Sequence, residues 1–187
     1  MVSIRGLIAS AVALMAVPTL AAITPAEVVN NIKAVTMKSQ ALQAPAQSIS
    51  IINGPLIIVG LGPFPAIITG FADIVTTATA AVAQMQGNAD VPAGPSAVAI
   101  ADAFREFVRV HQALLNILIG KSGLFTTVPI IGAPVAQVLR SVEGVVDQIA
   151  FGLIDTVESQ ATSLQADADA LKMTLRTAID SYDGINV

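Results

Sequence analysis

His111 is the single histidine of the 187-residue chain, cysteine is absent, and no serine stands in a Gly-x-Ser-x-Gly elbow. The usual zinc sites and the exposed hydrolase serine therefore lack their residues. Two glycine motifs fail on their surroundings. Gly60-Leu61-Gly62 follows Ile57-Ile58-Val59 as a dinucleotide-binding turn would, but Pro65 holds the third glycine position and no strand–helix repeat surrounds it. Gly120-Lys121-Ser122 matches the end of a phosphate loop, yet Leu115 holds the leading glycine position and a helical pattern precedes it. That segment reads as a helix C-terminus, with Gly120 near the cap and Lys121 set against the helix dipole. Asp167 and Asp169 diverge on a helix, while Asp180 and Asp183 beside Tyr182 read as a solvated face. No catalytic constellation results, and no cofactor or metal is implied.

His111 keeps two readings. It lies seven residues after Phe104 and seven before Leu118, near an apolar helical stripe. One reading is a core or boundary histidine with one hydrogen bond. The other sets it, with Arg105, Arg109 or Lys121, against the head group of an acidic lipid, where charge-assisted hydrogen bonds are favourable. The second reading has a motive in the charge pattern. From Ser39 to Ala72 there is no charged residue, and continuing to Ala101 adds only Asp73 and Asp90. Pro45, Gly54, Pro55, Gly60, Gly62, Pro63, Pro65 and Gly70 punctuate this run. So apolar a stretch must be hidden in a core, around a lipid, or against an external apolar surface. It is too interrupted for a spanning helix, because Pro63 and Pro65 break Leu56–Val75 and a span needs about 20 continuous residues.

The elements that would position these residues are helices. Thr24, Pro25 and Glu27 form a capping box at a helix start, and Val28, Ile32, Val35 and Leu42 follow on one face until Pro45 ends or kinks it. Leu56-Ile57-Ile58-Val59 has a local strand composition but no partner strand, so short helical turns or an apolar loop are expected there. A second helix is expected from near Pro65 to Gln86, with Ile67, Ile68, Phe71, Ile74, Val75, Ala78 and Val82 inward; residues 87–94 read as a loop. The third runs from Pro95 to about Ile119, with Ala101, Phe104, Phe107, Val108, Leu114, Leu115 and Leu118 as its stripe, stopped by Gly120 and Gly123. The fourth starts at Pro134 and carries Val135, Val138, Leu139, Val142, Val146, Ile149, Leu153 and Val157. The fifth, from about Ser159 to Tyr182, carries Leu164, Leu171, Leu175, Ile179 and Tyr182 on one side. The fold class is all-α: one antiparallel bundle of about five helices.

Residues 1–22 are set apart. Arg5, the apolar run Leu7–Val17, Pro18 and the small residues up to Ala21 and Ala22 form a secretory signal peptide pattern, leaving one domain over residues 23–187. Without Arg5 the net charge moves from −4 to −5, which argues against nucleic acid or an anionic membrane as partner. Charge is unevenly shared: residues 23–101 hold five charged side chains and residues 102–187 hold 16. The early helices therefore read as covered on most sides or as built to face something apolar.

The order of these helices, with Asp102-Ala103-Phe104-Arg105-Glu106-Phe107, the ending Leu118-Ile119-Gly120-Lys121-Ser122-Gly123-Leu124-Phe125, the segment Val138–Asp147 and the close Ala178-Ile179-Asp180-Ser181-Tyr182, resembles the fungal hydrophobic surface-binding protein A family, which includes cell-wall galactomannoproteins. The resemblance implies a secreted, helical, non-enzymatic protein of the extracellular space or cell wall. It implies adsorption to hydrophobic surfaces or enclosure of fatty acids between helices. The chain lacks the family's Ser/Thr/Pro-rich stalk, which favours a freely secreted form. The expected function is binding of a long-chain fatty acid or similar lipid. Leu56, Phe64, Ile67, Ile68, Phe71, Phe104, Phe107, His111, Leu114, Leu118, Leu139, Val142 and Val146 are expected to line its site. Adsorption to extracellular hydrophobic surfaces, or a structural wall role without ligand, are the alternatives.

Overall fold

The computed structural model of the chain describes residues 23–50, 61–125 and 132–183. The expected signal peptide, Leu56 and the Leu56–Val59 segment lie outside the described residues. Helices α1 (Pro25–Ala41), α2 (Gln43–Gln47), α3 (Pro63–Met85), α4 (Pro95–Ser122), α5 (Gly132–Thr156) and α6 (Ala161–Asp183) make up the fold, with single 3-10 turns at Gly123–Phe125 and Glu158–Gln160. Five of the six are long, and no strand occurs among the described residues.

Local chemistry explains most boundaries. The capping box forms: the Glu27 amide donates to Thr24 Oγ1 at 3.3 Å, and the Thr24 amide donates to Glu27 Oε2 at 2.6 Å. α1 ends at Ala41, four residues before Pro45, where the proline ring would meet the carbonyl and no amide could bond to it. Gly62 (φ 87°) and Gly94 (φ 150°) stand directly before Pro63 and Pro95, and these positive φ values let the chain turn sharply into α3 and α4.

Some boundaries differ from those expected. α3 starts at Pro63, two residues earlier than expected, and α5 starts at Gly132 ahead of Pro134. α4 passes through Gly120 and ends at Ser122. A glycine inside a helix costs only about 1 kcal/mol, and here the last turn has tertiary partners. The Tyr182 hydroxyl donates to the Leu118 carbonyl at 2.9 Å, and Lys121 Nζ donates to the Ile49 carbonyl at 2.8 Å.

Cross-helix bonds fix the topology. Ile23 N donates to Asn88 Oδ1 at 3.0 Å and Asn31 Nδ2 to Gln84 Oε1 at 2.8 Å, so the start of α1 meets the end of α3 and the two are antiparallel. Arg105 reaches Ser163, Gln112 reaches the Ala170 carbonyl, and Tyr182 reaches Leu118, so α4 and α6 run the same way. α5 opposes α6 through Arg140–Asp183, Glu143–Arg176 and Asp147–Lys172. α1 and α3 thus run in opposite directions, and α5 runs opposite to both α4 and α6. In space they sort into two layers, α1–α4–α6 and α3–α5, joined by the α1–α3 and α5–α6 contacts.

Between the layers lies one apolar core. It includes Val35, Ile67, Phe71, Ile74, Phe104, Phe107, Leu114, Leu118, Leu139, Val142, Leu153, Leu164, Leu171 and Leu175. Each stripe read from the helical period faces this core, although Ile68, Val75, Val82 and Val138 sit at its edge, partly buried.

Candidate functional site

The seam where α1 and α3 meet α4 sets the charge-poor half of the chain against the apolar stripe of α4. On α3, Phe64, Ile67, Phe71, Ile74, Ala78, Ala81 and Met85 recur at steps of three and four and are buried. On α4, Phe104, Phe107, His111, Leu114 and Leu118 do the same. At Gly70 the approach is tight: a Cβ added there would fall 2.2 Å from Leu42 Cδ2, so a larger residue would require the Leu42 side chain at the end of α1 to shift.

Along the seam the packing loosens towards Met85. A void of about 10 Å³ sits between Asn31, Ile32, Val35, Ala81, Met85, Phe107 and Ile149. A cleft of about 190 Å³ opens beyond it, lined in part by Ile23, Val28, Met85, Val91 and Ile100. Met85 borders both, and its flexible thioether chain suits a surface that must repack. Phe71 and Met85 are 14 residues apart on α3, about 21 Å of helix.

His111 is wholly buried in this seam. Its Nδ1 lies 2.8 Å from Ser39 Oγ on α1, and that hydroxyl lies 3.2 Å from the Val35 carbonyl. The ring meets Phe71 edge-on (6.2 Å between centroids) and tilts over Phe107 (5.3 Å). Burial alone pushes its pKa down to about 4, so the ring is neutral near pH 7. Its Nε2 has no hydrogen-bond partner. The sequence reading of a core histidine with one hydrogen bond matches this placement.

The cations expected near a head group are placed elsewhere. Arg105 is half exposed and pairs with Asp102 and Asp167; Arg109 is exposed and pairs with Glu106 at 2.6 Å. Lys121 is engaged by Ile49. Of the expected lining residues, Phe64, Ile67, Phe71, Phe104, Phe107, His111, Leu114, Leu118, Leu139, Val142 and Val146 are buried in the common core, and Ile68 is partly buried. The void and cleft add residues that sequence reasoning left out, among them Val28, Ile32, Val35, Ala81, Met85 and Ile149. Val28, Ile32, Val35 and Ile149 already stood on the apolar stripes read from the sequence, which was the available signal.

No family model matches the sequence, and no curated protein matches it. The fold does match solved structures. It is similar to AfMP4p in complex with palmitic acid, at 12% identity and a TM-score of 0.75, covering 85% of this chain and 99% of that one. It is also similar to ligand-binding domain 2 of the Penicillium marneffei MP1 protein complexed with multiple arachidonic acids (13%, TM-score 0.69, 85% and 94% covered). Ligand-binding domain 1 of the same protein, complexed with arachidonic acids, matches at 13% and 0.63, with 83% and 98% covered. At such identities the likeness is one of fold.

Proposed function

We propose that this chain is a secreted, non-enzymatic carrier of a long-chain fatty acid, held in the seam between α1, α3 and α4. The carrying observation is the continuous apolar line from Phe71 and Phe107 through the void at Met85 to the cleft at the bundle end. Support comes from the shared fold, since AfMP4p and both MP1 domains were solved with palmitic or arachidonic acid. The length also fits, because about 21 Å of helix matches an extended sixteen-carbon chain. A void of about 10 Å³ is far below the roughly 300 Å³ of a ligand pocket. Uptake therefore requires α3 to move off α1.

The energies allow this. Burying about 15 methylenes at ~0.8 kcal/mol each gives on the order of 12 kcal/mol. Association costs of about 4–15 kcal/mol offset much of it. Micromolar or somewhat tighter binding with loose chain-length selectivity is expected. Non-denaturing mass spectrometry of the delipidated protein with C14–C20 acids tests the reading: one acid retained per chain supports it, and uptake of none overturns it. The family reading, a fungal wall or hydrophobic surface-binding protein, belongs to this proposal, as does removal of residues 1–22. A secreted product starting at Ala22 or Ile23 would support that removal.

A second reading has its own observation. α3 is long and apolar enough to cross a membrane, yet only 28% of its most apolar stretch is buried. Its outer face is Ala66, Thr69, Ala72, Asp73, Thr76, Thr79, Ala80 and Ala83, with a single charge. Such a face suits adsorption to wax or polyester. Adsorption to polyester beads above that of an ordinary acidic helical protein is the expected result, and equal adsorption removes the reading.

A further inference from the structure

The Ser39–His111 pair holds a polar atom that its surroundings leave unused. Ser39 has one hydroxyl hydrogen, and the Val35 carbonyl lies in position to accept it at 3.2 Å. The Ser39 oxygen then accepts from Nδ1–H of His111 at 2.8 Å. That assigns the proton to Nδ1 and leaves Nε2 a bare acceptor. The opposite tautomer would leave a buried N–H without an acceptor, which is rarer in native structures than an unfilled acceptor. A wholly buried acceptor with no partner calls for an explanation. The neighbouring void does not supply one, because its walls are apolar and a water there lacks the two to four polar partners it needs. That void is one helical turn away: Val35 and Phe107, which line it, precede Ser39 and His111 by four residues on their helices.

We infer that His111 Nε2 is the polar anchor of the seam and selects apolar guests whose head group can donate a hydrogen, an un-ionised carboxylic acid or a primary alcohol, over esters. This rests on reading the seam as the lipid site. A carboxylate is disfavoured, since it would set its charge against a lone pair in an apolar wall. Arg105 and Arg109 are turned outward into ion pairs, and Lys121 is taken by Ile49. Burial is the cause of the ring's lowered basicity; of the charges on the neighbouring helices, Asp147 of α5 and Lys172 of α6 pair with each other. An acid ionised in water thus takes up one proton from solvent on entry, which forms its O–H bond, and that O–H donates to Nε2; no other covalent bond forms or breaks.

The test uses palmitic acid, 1-hexadecanol and methyl palmitate with the full chain at pH 6. The native chain should hold the acid and the alcohol about tenfold more tightly than the ester, and His111→Phe, which keeps the volume and removes the acceptor, should bind all three alike. A preference unchanged in His111→Phe overturns the anchor while leaving the lipid site standing. Uptake of none of the three by the native chain overturns the lipid site and the anchor with it. A second readout needs no variant. His111 is the single histidine, so 15N-histidine labelling gives one Nε2 resonance. It should move upfield with palmitic acid and with hexadecanol and stay in place with methyl palmitate; no movement with the acid overturns the inference.

Discussion

The α5–α6 contact and the α1–α3 contact join the same two layers by different means. Along α5–α6, Arg140–Asp183, Glu143–Arg176 and Asp147–Lys172 recur at about one-turn spacing beside a buried apolar stripe. Along α1–α3 no ion pair occurs among the described residues. Instead there are Leu42 over Gly70, the Asn31–Gln84 amide pair and the Ile23–Asn88 bond. The difference is one of register more than of strength. Half-exposed ion pairs contribute little each, but they tie particular residues to one another. Apolar contact is non-directional, so once the Asn31–Gln84 and Ile23–Asn88 bonds release, α3 can shift against α1 and re-form equivalent contacts around an alkyl chain.

Truncation should expose the contrast most strongly. Phe71→Ala removes a wholly buried ring from the seam and should destabilise the protein by about 3–5 kcal/mol in urea unfolding. Phe151→Ala on α5, where the ring is 66% exposed, should change stability by less than about 0.5 kcal/mol. Equal losses would break the comparison.

Acid comes next. The folded-state pKa of His111 lies near 4, below its ordinary 6.5. Stability from this group is therefore full above pH 6.5 and is lost as pH falls towards 4, because the unfolded chain binds a proton that the folded chain refuses. The loss should be on the order of 3 kcal/mol across that window. The wild-type curve should slope there, and that of His111→Phe should be flatter by this amount. Parallel curves would mean that the seam tolerates the charge.

A covalent staple separates the two contacts more selectively. The chain has no cysteine, and a Cβ on Gly70 falls 2.9 Å from Leu42 Cγ, so Leu42→Cys/Gly70→Cys brings the two Cβ atoms close to the roughly 3.8 Å of a disulfide. Oxidation should weaken palmitic acid uptake about a hundredfold, and reduction should restore it. Uptake that ignores the staple would show that α1 and α3 need not part. The smallest effect belongs to the latch: Arg176→Ala, which frees Glu143, should cost less than about 1 kcal/mol, and less still in high salt.

What the sequence made legible was local. The Thr24–Glu27 box, the break before Pro45 and the stripes carrying Phe71, Phe107, Leu139 and Leu171 all follow from spacing within one or two turns. What it concealed depends on residues far apart in the chain. Ser39 meets His111 across 72 positions, Lys121 holds Ile49, and Leu42 lies over Gly70. Gly120 was expected to stop α4, but tertiary bonds to Leu118 and Lys121 carry the helix past it. The sorting of helices into layers escaped for a related reason, since links show which helices follow one another and not which lie side by side. The expected lining residues were legible as buried core positions, and Leu56 lies outside the described residues. His111 was legible as a core histidine, but its partner Ser39 was not, nor was the outward turn of the Arg105 and Arg109 side chains to carboxylates on the surface.

Tyr182 ties the end of α6 to the end of α4, its hydroxyl donating to the Leu118 carbonyl. It is the single tyrosine, and the chain has no tryptophan. Ultraviolet emission from tyrosine therefore originates where the end of α6 meets the end of α4, beside Leu118. A fluorescence trace will register melting of that junction. A dye or an isotope placed on α3 reports the arrival of a guest directly.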